Sequence, residues 1–404
     1  MDEKKLHVLL IHQAFVSLNE AGGTRHYELA SYLASRGHRV TVITSAVSYL
    51  TGMNKVAEET NVAGLEVLKA PTLGGLHRSF VLRLVNFFSF TFSSFFIGLT
   101  VRGVDVVWGT TPPIFQAASA WALARLKRAK FLLEVRDLWP AFAVAVGVLR
   151  SRPLIAASEW LERFLYRHAD NIVLNSPGFF AHVQTLGGHH IAVVPNGSDP
   201  TMFDPNAHGE EFRQAYGLQD KFVVLYAGAH GLSNDLGVVL AAAELLRKEP
   251  KIALVLLGDG KEKPRLQDQA RQKELANLFF VPSLPKAQVA IAFAAADACL
   301  AILKPLKLYA TVYPNKVFDY LAAGRPVLLA IDGPIREVVE QASAGVFVHP
   351  GDPAALAAAI RQLAADPAAA RKMGLAGRAY LQQHFDRQGL AKQMEETILA
   401  LRAS

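Results

Sequence analysis

The residues best equipped for chemistry lie in one 15-residue stretch, Tyr313-Pro314-Asn315-Lys316-Val317-Phe318-Asp319-Tyr320-Leu321-Ala322-Ala323-Gly324-Arg325-Pro326-Val327. Pro314 suits a helix start, where its missing N–H costs nothing. Asn315 and Lys316 then fall in the first turn, where the helix dipole favours anions. Phe318, Leu321 and Ala322 are expected to pack inward, and Asp319 stands one turn on from Asn315 and Lys316. A cation and a carboxylate would thus share one helix end. The lysine could hold a diphosphate through charge-assisted hydrogen bonds, each contributing roughly 1.5–3 kcal/mol. The carboxylate could accept two hydrogen bonds from a ribose diol. The plainer alternative is an i, i+3 ion pair on a surface helix.

Three other stretches have the residue types of a ligand site. Gly22-Gly23 follows the first apolar run and precedes a helix, so its backbone amides could approach an anion. Tyr226-Ala227-Gly228-Ala229-His230-Gly231 is a second glycine-rich loop leading to a helix. Glu134-Val135-Arg136-Asp137-Leu138-Trp139-Pro140 ends a buried run. There Arg136 could bind an anion, and Asp137 could orient a hydroxyl or act as a base. A tight turn, or a structural Arg–Asp pair beside a packed Trp, would account for the same residues. Leu257-Gly258-Asp259-Gly260 reads first as a turn.

Other chemistries have no support. No G-x-G-x-x-G pattern follows the first strand, which argues against a dinucleotide enzyme. No Asp-x-Asp tripeptide, metal-spaced His/Asp/Glu cluster or G-x-S-x-G elbow occurs. A single cysteine, Cys299, excludes a disulfide framework and any cysteine metal cluster. No metal or other cofactor is expected, so charge on a leaving diphosphate would be met by Lys, Arg and helix N-termini.

The elements needed to position these residues follow from the apolar runs. Strands are expected at Leu6–Ile11, Val40–Ile43, Val104–Trp108, Phe131–Val135 and Asn171–Leu174, with helices between. Three prolines and an Asn-Gly at 193–205 mark a hinge. The alternation then restarts, with strands at Phe222–Tyr226, Ile252–Leu257, Ala298–Leu303, Val327–Ile331 and Val346–His349. A last helix from about Arg387 carries Leu390, Met394, Ile398 and Leu401 on one stripe. The order β-α-β implies α/β architecture: two successive doubly wound domains, with ligands at the carboxyl ends of the strands in a cleft between them. The divisions are 1–194, a hinge at 195–205, and 206–385, with the helix 386–404 returning to the first domain.

Composition fits large cores: 51% of residues are hydrophobic and 19% charged. Net charge is +7, and residues 1–190 hold +6 of it. A basic half suggests an anionic partner. No Lys/Arg run exceeds two residues, so nucleic acid is not the expected one. The N-terminus lacks the h-region and cleavage site of a signal peptide, so a cytoplasmic location is expected. Leu84 to Val101 is uncharged for 18 residues and holds six phenylalanines beside six polar residues. That is too polar to be a good spanning helix. It leaves a buried helix or a monotopic one that touches an anionic membrane, flanked by Arg78, Arg83 and Arg102 across residues 78–102.

Taken together, the sequence resembles the GT-B glycosyltransferases, specifically the retaining glycosyltransferase family 4, over nearly its whole length. The markers are Gly22-Gly23, Arg36-Gly37-His38-Arg39-Val40, Pro195-Asn196-Gly197-Ser198-Asp199 with Phe203, Leu257-Gly258-Asp259-Gly260, Tyr320 to Val327, and Gly345-Val346 with Pro350-Gly351-Asp352-Pro353. Val135 to Pro140 and Pro314 to Tyr320 resemble a subgroup that makes bacterial O-antigen, capsule and exopolysaccharide. The resemblance implies two Rossmann-like domains and a metal-independent transfer from a nucleotide diphosphate sugar, UDP-linked by expectation. The acceptor would be a saccharide, free or lipid-linked. It implies catalytic roles for Lys316, Arg136 and Asp137, and diphosphate contacts from Gly22, Gly23, Gly228, His230, Asn315 and Lys316. Asp319 would take the ribose; Val281, Pro282 and Ser283 the base; Thr311, Tyr313 and Pro314 the sugar. Arg25, His26 and Trp139 would face the acceptor. The family's usual two glutamates stand here as Thr311 and Asp319, and its usual Arg and Lys in the loop after the second domain's first strand are replaced near His230 and Asn234. Those departures keep two other readings open: a catalytically weak partner subunit, and an epimerase or phosphorylase of the same fold.

Overall fold

A computed structural model describes residues 5–20, 22–47, 62–74 and 80–403. Arg78, expected to flank the Phe-rich segment, lies outside them. The chain divides into two compact units, one of Met1–Ser17, Gly23–Pro195 and Gln388–Ser404, the other of Leu18–Gly22 and Asn196–Arg387.

The first unit is built on seven strands: β1 His7–Ile11, β2 Arg39–Ser45, β3 Leu65–Ala70, β4 Val106–Thr111, β5 Lys130–Val135, β6 Asn171–Leu174 and β7 Ile191–Val193. They form one parallel sheet in the order β3-β2-β1-β4-β5-β6-β7. β1 and β4 are buried along their whole length, as strands covered by helices on both faces must be. The second unit has six: β8 Phe222–Ala227, β9 Ile252–Leu257, β10 Leu278–Val281, β11 Ala298–Ile302, β12 Val327–Ala330 and β13 Gly345–Phe347. Their order is β10-β9-β8-β11-β12-β13, again all parallel. Alternate residues of β8 feed two cores: Val223, Leu225 and Ala227 pack into one, Val224 and Tyr226 into the other. Both sheets reverse strand order beside their first strand, between β1 and β4 and between β8 and β11. In doubly wound folds that reversal opens a crevice at the carboxyl ends. Two Rossmann-like units are therefore present, as the apolar runs implied.

The helix Arg387–Ala403 buries Leu390, Met394, Ile398 and Leu401 against Leu6, Val8, Leu29 and Leu33 of the first unit. Burying each such side chain stabilises by roughly 1.5–3 kcal/mol. The residues read as a hinge are tied into the second unit: Asn196 donates to the Tyr313 carbonyl at 2.8 Å, and Ser198 bridges to Asp386.

The Phe-rich segment forms the helix Phe80–Thr100, buried along one side and exposed along the other. Its buried side is Asn86, Phe90, Ser94 and Gly98, each four residues on from the last. Gln13 Nε2 donates to Asn86 Oδ1 at 2.8 Å, and Ser94 Oγ lies 3.4 Å from Ser119 Oγ. Gly98 is needed because a Cβ there would run into Leu123. Val81, Val85, Phe88, Phe92, Phe96 and Leu99 are exposed along one stripe, Phe92 at 62% and Phe96 at 63%. By length and composition this helix could cross a membrane, yet its inner side packs on the helix Ile114–Lys127.

Candidate active site

In the second unit, the helix Asn315–Ala322 starts after Pro314, as its sequence dictates. Lys316 projects from the first turn, with Nζ 3.8 Å from the centroid of the Tyr226 ring at the end of β8. Gly228 lies against it: a Cβ there would come within 2.7 Å of Nζ, and its φ of +149° suits glycine. Among the described residues the ammonium has no hydrogen bond and no carboxylate partner. Burial lowers its pKa to about 7. A desolvated cation beside a glycine at the β8/β11 reversal has the chemistry to receive an anionic group.

Asp319 departs from expectation. It pairs with Lys286 and not with Lys316. Its carboxylate is buried against Lys286, whose Nζ lies 2.9 and 3.0 Å from the two oxygens. Ser198 Oγ donates to Oδ1 at 2.7 Å and Asn315 Nδ2 to Oδ2 at 3.4 Å. Four contacts occupy its four lone-pair directions, so a ribose diol would have to displace one. Lys286 was missed because its helix, Lys286–Ala295, follows β10, a strand too short to stand out.

The loops around Lys316 correct other expectations. His230 is fully buried, with neither ring nitrogen hydrogen-bonded among the described residues, and burial lowers its pKa to about 4. It lies under the loop, and its ring does not reach the surface. The two peptide groups expected to read a base are already paired. The Val281 carbonyl accepts from Gly258 N at 3.0 Å, and Ser283 N–H donates to Asp259 Oδ2 at 2.7 Å. Pro282 is exposed between them. Thr311 donates to the Leu308 carbonyl at 2.7 Å. Tyr313 packs on Phe318 and Phe385, and burial pushes its hydroxyl pKa up to about 12.

In the first unit, Glu134 near the carboxyl end of β5 is fully buried inside the apolar run Phe131–Val135. Arg25 Nε lies 2.9 Å from one carboxylate oxygen; His26 Nε2 lies 2.7 Å and Trp108 Nε1 3.1 Å from the other. Arg25 also donates to the carbonyls of Pro195 at 2.6 Å and Val194 at 2.8 Å. Arg25 and His26 were expected to face an acceptor. Instead they are 3% and 1% exposed, because Glu134 needs their donors. Burial would raise the Glu134 pKa, but His26 and Arg25 hold it well below the usual carboxylate range. Burial lowers His26 to about 4 against the pull of Glu134. A neutral His26 donates from Nε2 and leaves Nδ1 unpaired, beside His12 with ring centroids 4.0 Å apart. His12 Nδ1 meets Thr110 Oγ1 at 2.9 Å, closing the β1/β4 reversal.

Beyond Glu134, Arg136 and Asp137 remain at the carboxyl end of β5, both half-buried. Burial raises the Asp137 carboxyl to about 7, opposed by Arg136. Trp139 packs edge-on to Phe115 at 5.4 Å, and Phe115 on Phe88 of the Phe-rich helix at 4.6 Å. Gly22 and Gly23 are exposed ahead of the helix Arg25–Ser35.

Residues 21–197 match the family described as glycosyl transferase 4-like domain, and residues 209–380 that described as glycosyl transferases group 1. The chain belongs to glycosyltransferase family 4, with the GT-B fold. Among its relatives is WcaI of Escherichia coli K12, a glycosyl transferase provisionally named for colanic acid biosynthesis. It is 26% identical over 386 residues, 91% of this chain and 93% of that protein. Glycogen synthase of Mycobacterium tuberculosis H37Rv is 30% identical over 257 residues, 62% of this chain and 58% of that protein. Two solved structures share the transferase's fold. Sucrose-phosphate synthase from Thermosynechococcus elongatus superposes with a TM-score of 0.79 at 21% identity, covering 99% of this chain and all of that one. Anabaena Alr3699/HepE, solved in complex with UDP and glucose, gives 0.75 at 17% identity, covering 98% of this chain and all of that one.

Proposed function

We propose that this glycosyltransferase moves a sugar from a nucleotide diphosphate sugar, UDP-linked, to a lipid-linked saccharide in bacterial surface polysaccharide synthesis. The observation that carries the donor half is the unpaired, desolvated Lys316 ammonium over Tyr226 and Gly228. The structure in complex with UDP and glucose adds support by fold. The WcaI relative supports the polysaccharide context.

The transfer proceeds with retention and without a protein nucleophile. The bond from the sugar's anomeric carbon to the diphosphate oxygen breaks while the acceptor oxygen bonds to that carbon. The acceptor's proton passes to the departing phosphate oxygen. Lys316 meets the charge on the diphosphate, as an electrostatic stabiliser of the departing group does. In this reading Lys316 supplies the positive charge at the diphosphate, and the transfer needs no metal. Asp319 acts as a positioning residue that fixes the helix head through Lys286 and Ser198. Asp137 and Arg136 line the acceptor's end of the first unit.

The inverted Phe-rich helix supports a peripheral seat on an anionic membrane, where a lipid-linked acceptor would be found. Its outer stripe is apolar, and Arg102 and Arg128 are exposed beyond its end and that of its neighbour. The decisive experiment incubates the protein with radiolabelled activated sugars and extracted bacterial lipids. A labelled lipid product with the donor's anomeric configuration is expected. Donor binding with no transfer to any acceptor would refute the reading. Flotation on anionic vesicles, lost in Phe92→Asp/Phe96→Asp, tests the seat; equal flotation by both proteins would refute it.

A further inference from the structure

The second unit has a cavity that the donor reading leaves unused. Its volume is about 550 Å³, within the range of small-molecule sites. Gly324-Arg325-Pro326 lines it just ahead of β12, and Ala296-Asp297 just ahead of β11. It therefore opens at the amino ends of the strands, the sheet edge opposite Gly228 and Lys316.

Three guanidinium groups surround it: Arg213, Arg325 and Arg371. Arg213 is matched by Asp297 at 2.8 Å, and the same carboxylate oxygen accepts from Val223 N at 2.7 Å. The other two have no carboxylate partner among the described residues. Arg325 is buried; its Nε and Nη2 donate to the carbonyls of Phe293, Ala207 and Ala294 at 2.8–2.9 Å. Its Nη1 has no acceptor among those residues. Arg371 makes one hydrogen bond, from Nη2 to Asn206 Oδ1 at 3.0 Å. Burial lowers the Arg325 pKa; Cys299 and Asp297 oppose the shift, and the charges of Arg371 and Arg213 add to it. Glu210 contributes one negative charge at the exposed rim, so the three guanidiniums against Asp297 and Glu210 leave the lining with an excess of positive charge.

We propose that this cavity binds a phosphomonoester, as free phosphate or carried on a small sugar. Two unpaired guanidiniums with open donors suit the tetrahedral oxygens of such a dianion. The volume exceeds what phosphate alone fills, and the exposed rim residues Gln214, Gln219 and His208 could meet sugar hydroxyls. The site lies away from Lys316, so its occupancy would report metabolite supply to the enzyme without competing with the donor.

Calorimetric titration of the full chain with glucose 6-phosphate, inorganic phosphate and glucose tests this. Saturable binding of glucose 6-phosphate is expected, and none of glucose. Arg371→Ala should weaken it about tenfold or more, with Arg371→Gln giving the same readout should the truncation unfold. UDP affinity should be unchanged in both. Lys316→Met should bind glucose 6-phosphate as wild type does, which separates this site from the donor reading. Equal affinity for inorganic phosphate would name the free anion as the ligand; tighter binding of the ester would name the sugar phosphate. No saturation by either probe at about 10 mM, or undiminished binding by the folded Arg371 variants, would overturn the proposal.

Discussion

Replacing Lys316 with methionine keeps an apolar stem over the Tyr226 ring and removes the charge. The ammonium has three donors, and none is engaged among the described residues. One to two charge-assisted bonds to a diphosphate amount to roughly 3 kcal/mol, on the order of 100-fold in UDP affinity. Uridine has no phosphates and should bind the two proteins alike. The lowered pKa of about 7 adds a second signature. A bound diphosphate favours the charged lysine and restores its pKa towards the ordinary value. Binding then takes up about 0.5 proton at pH 7 and ~0.9 at pH 8. The sign follows: only the protonated lysine receives the anion, so affinity falls as pH rises above 7. Between pH 7 and 9 the loss should reach roughly 25-fold. The terminal phosphate itself titrates near ~6, below this window. Isothermal titration in buffers of different ionisation enthalpy reads both quantities. A wild-type protein with no proton uptake and flat affinity from pH 7 to 9, or a Lys316→Met protein with undiminished UDP binding, would refute the assignment.

Three further outcomes follow from the same geometry. Asp319→Asn strips the buried Lys286 of its counter-charge and should cost about 3–5 kcal/mol in urea denaturation; Lys286→Met in the same chain should recover part of it. Gly228→Ala puts a methyl group 2.7 Å from Lys316 Nζ at a φ of +149°, so UDP should bind more weakly while uridine binding persists. His26, lowered to about 4, makes stability pH-dependent. The unfolded chain takes up a proton near ~6.5 that the folded chain refuses until about 4, so stability should fall as pH drops across that window. His26→Gln should flatten that part of the profile, and an unchanged slope would remove His26 as its source.

The apolar runs made both sheets legible, because strands buried on both faces read as unbroken Val, Leu and Ile. β3, β7 and β10 were missed: Leu65–Ala70 carries Glu66 and Lys69, and the other two are short. The helix head at Pro314 and the place of Lys316 were also readable, since they depend on local capping. The partners of Asp319 were not, because Lys286 and Ser198 lie 33 and 121 residues away and no local pattern brings them there. Arg25 and His26 failed for the same reason in reverse. Both are polar residues at a helix start, and only the fold shows that Glu134, more than 100 residues on, consumes their donors. A glutamate inside the apolar run Phe131–Val135 was the available sign that something charged had to meet it.

The helix Phe80–Thr100 shows what composition leaves open. Six phenylalanines in 18 uncharged residues fit a core helix and a membrane-facing one equally well; the polar residues show which side the fold buries. Asn86, Ser94 and Gly98 recur every four residues or a multiple of it, and the fold buries that row. Asn86 is held by Gln13 and the Leu73 carbonyl. Hydrophobic burial would normally make the Phe side the costly one to alter. Here the order should invert. Asn86→Leu leaves the buried Gln13 side-chain amide without its acceptor, at about 1–3 kcal/mol. Phe92→Ser, on the exposed stripe, should stay within about 0.5 kcal/mol in water. Urea denaturation of the two variants without lipid measures the difference, and the same Phe92→Ser protein should lose vesicle binding. A Phe92→Ser protein less stable than Asn86→Leu would mean that the aromatic stripe is packed inside the protein, and the membrane seat would fall with it.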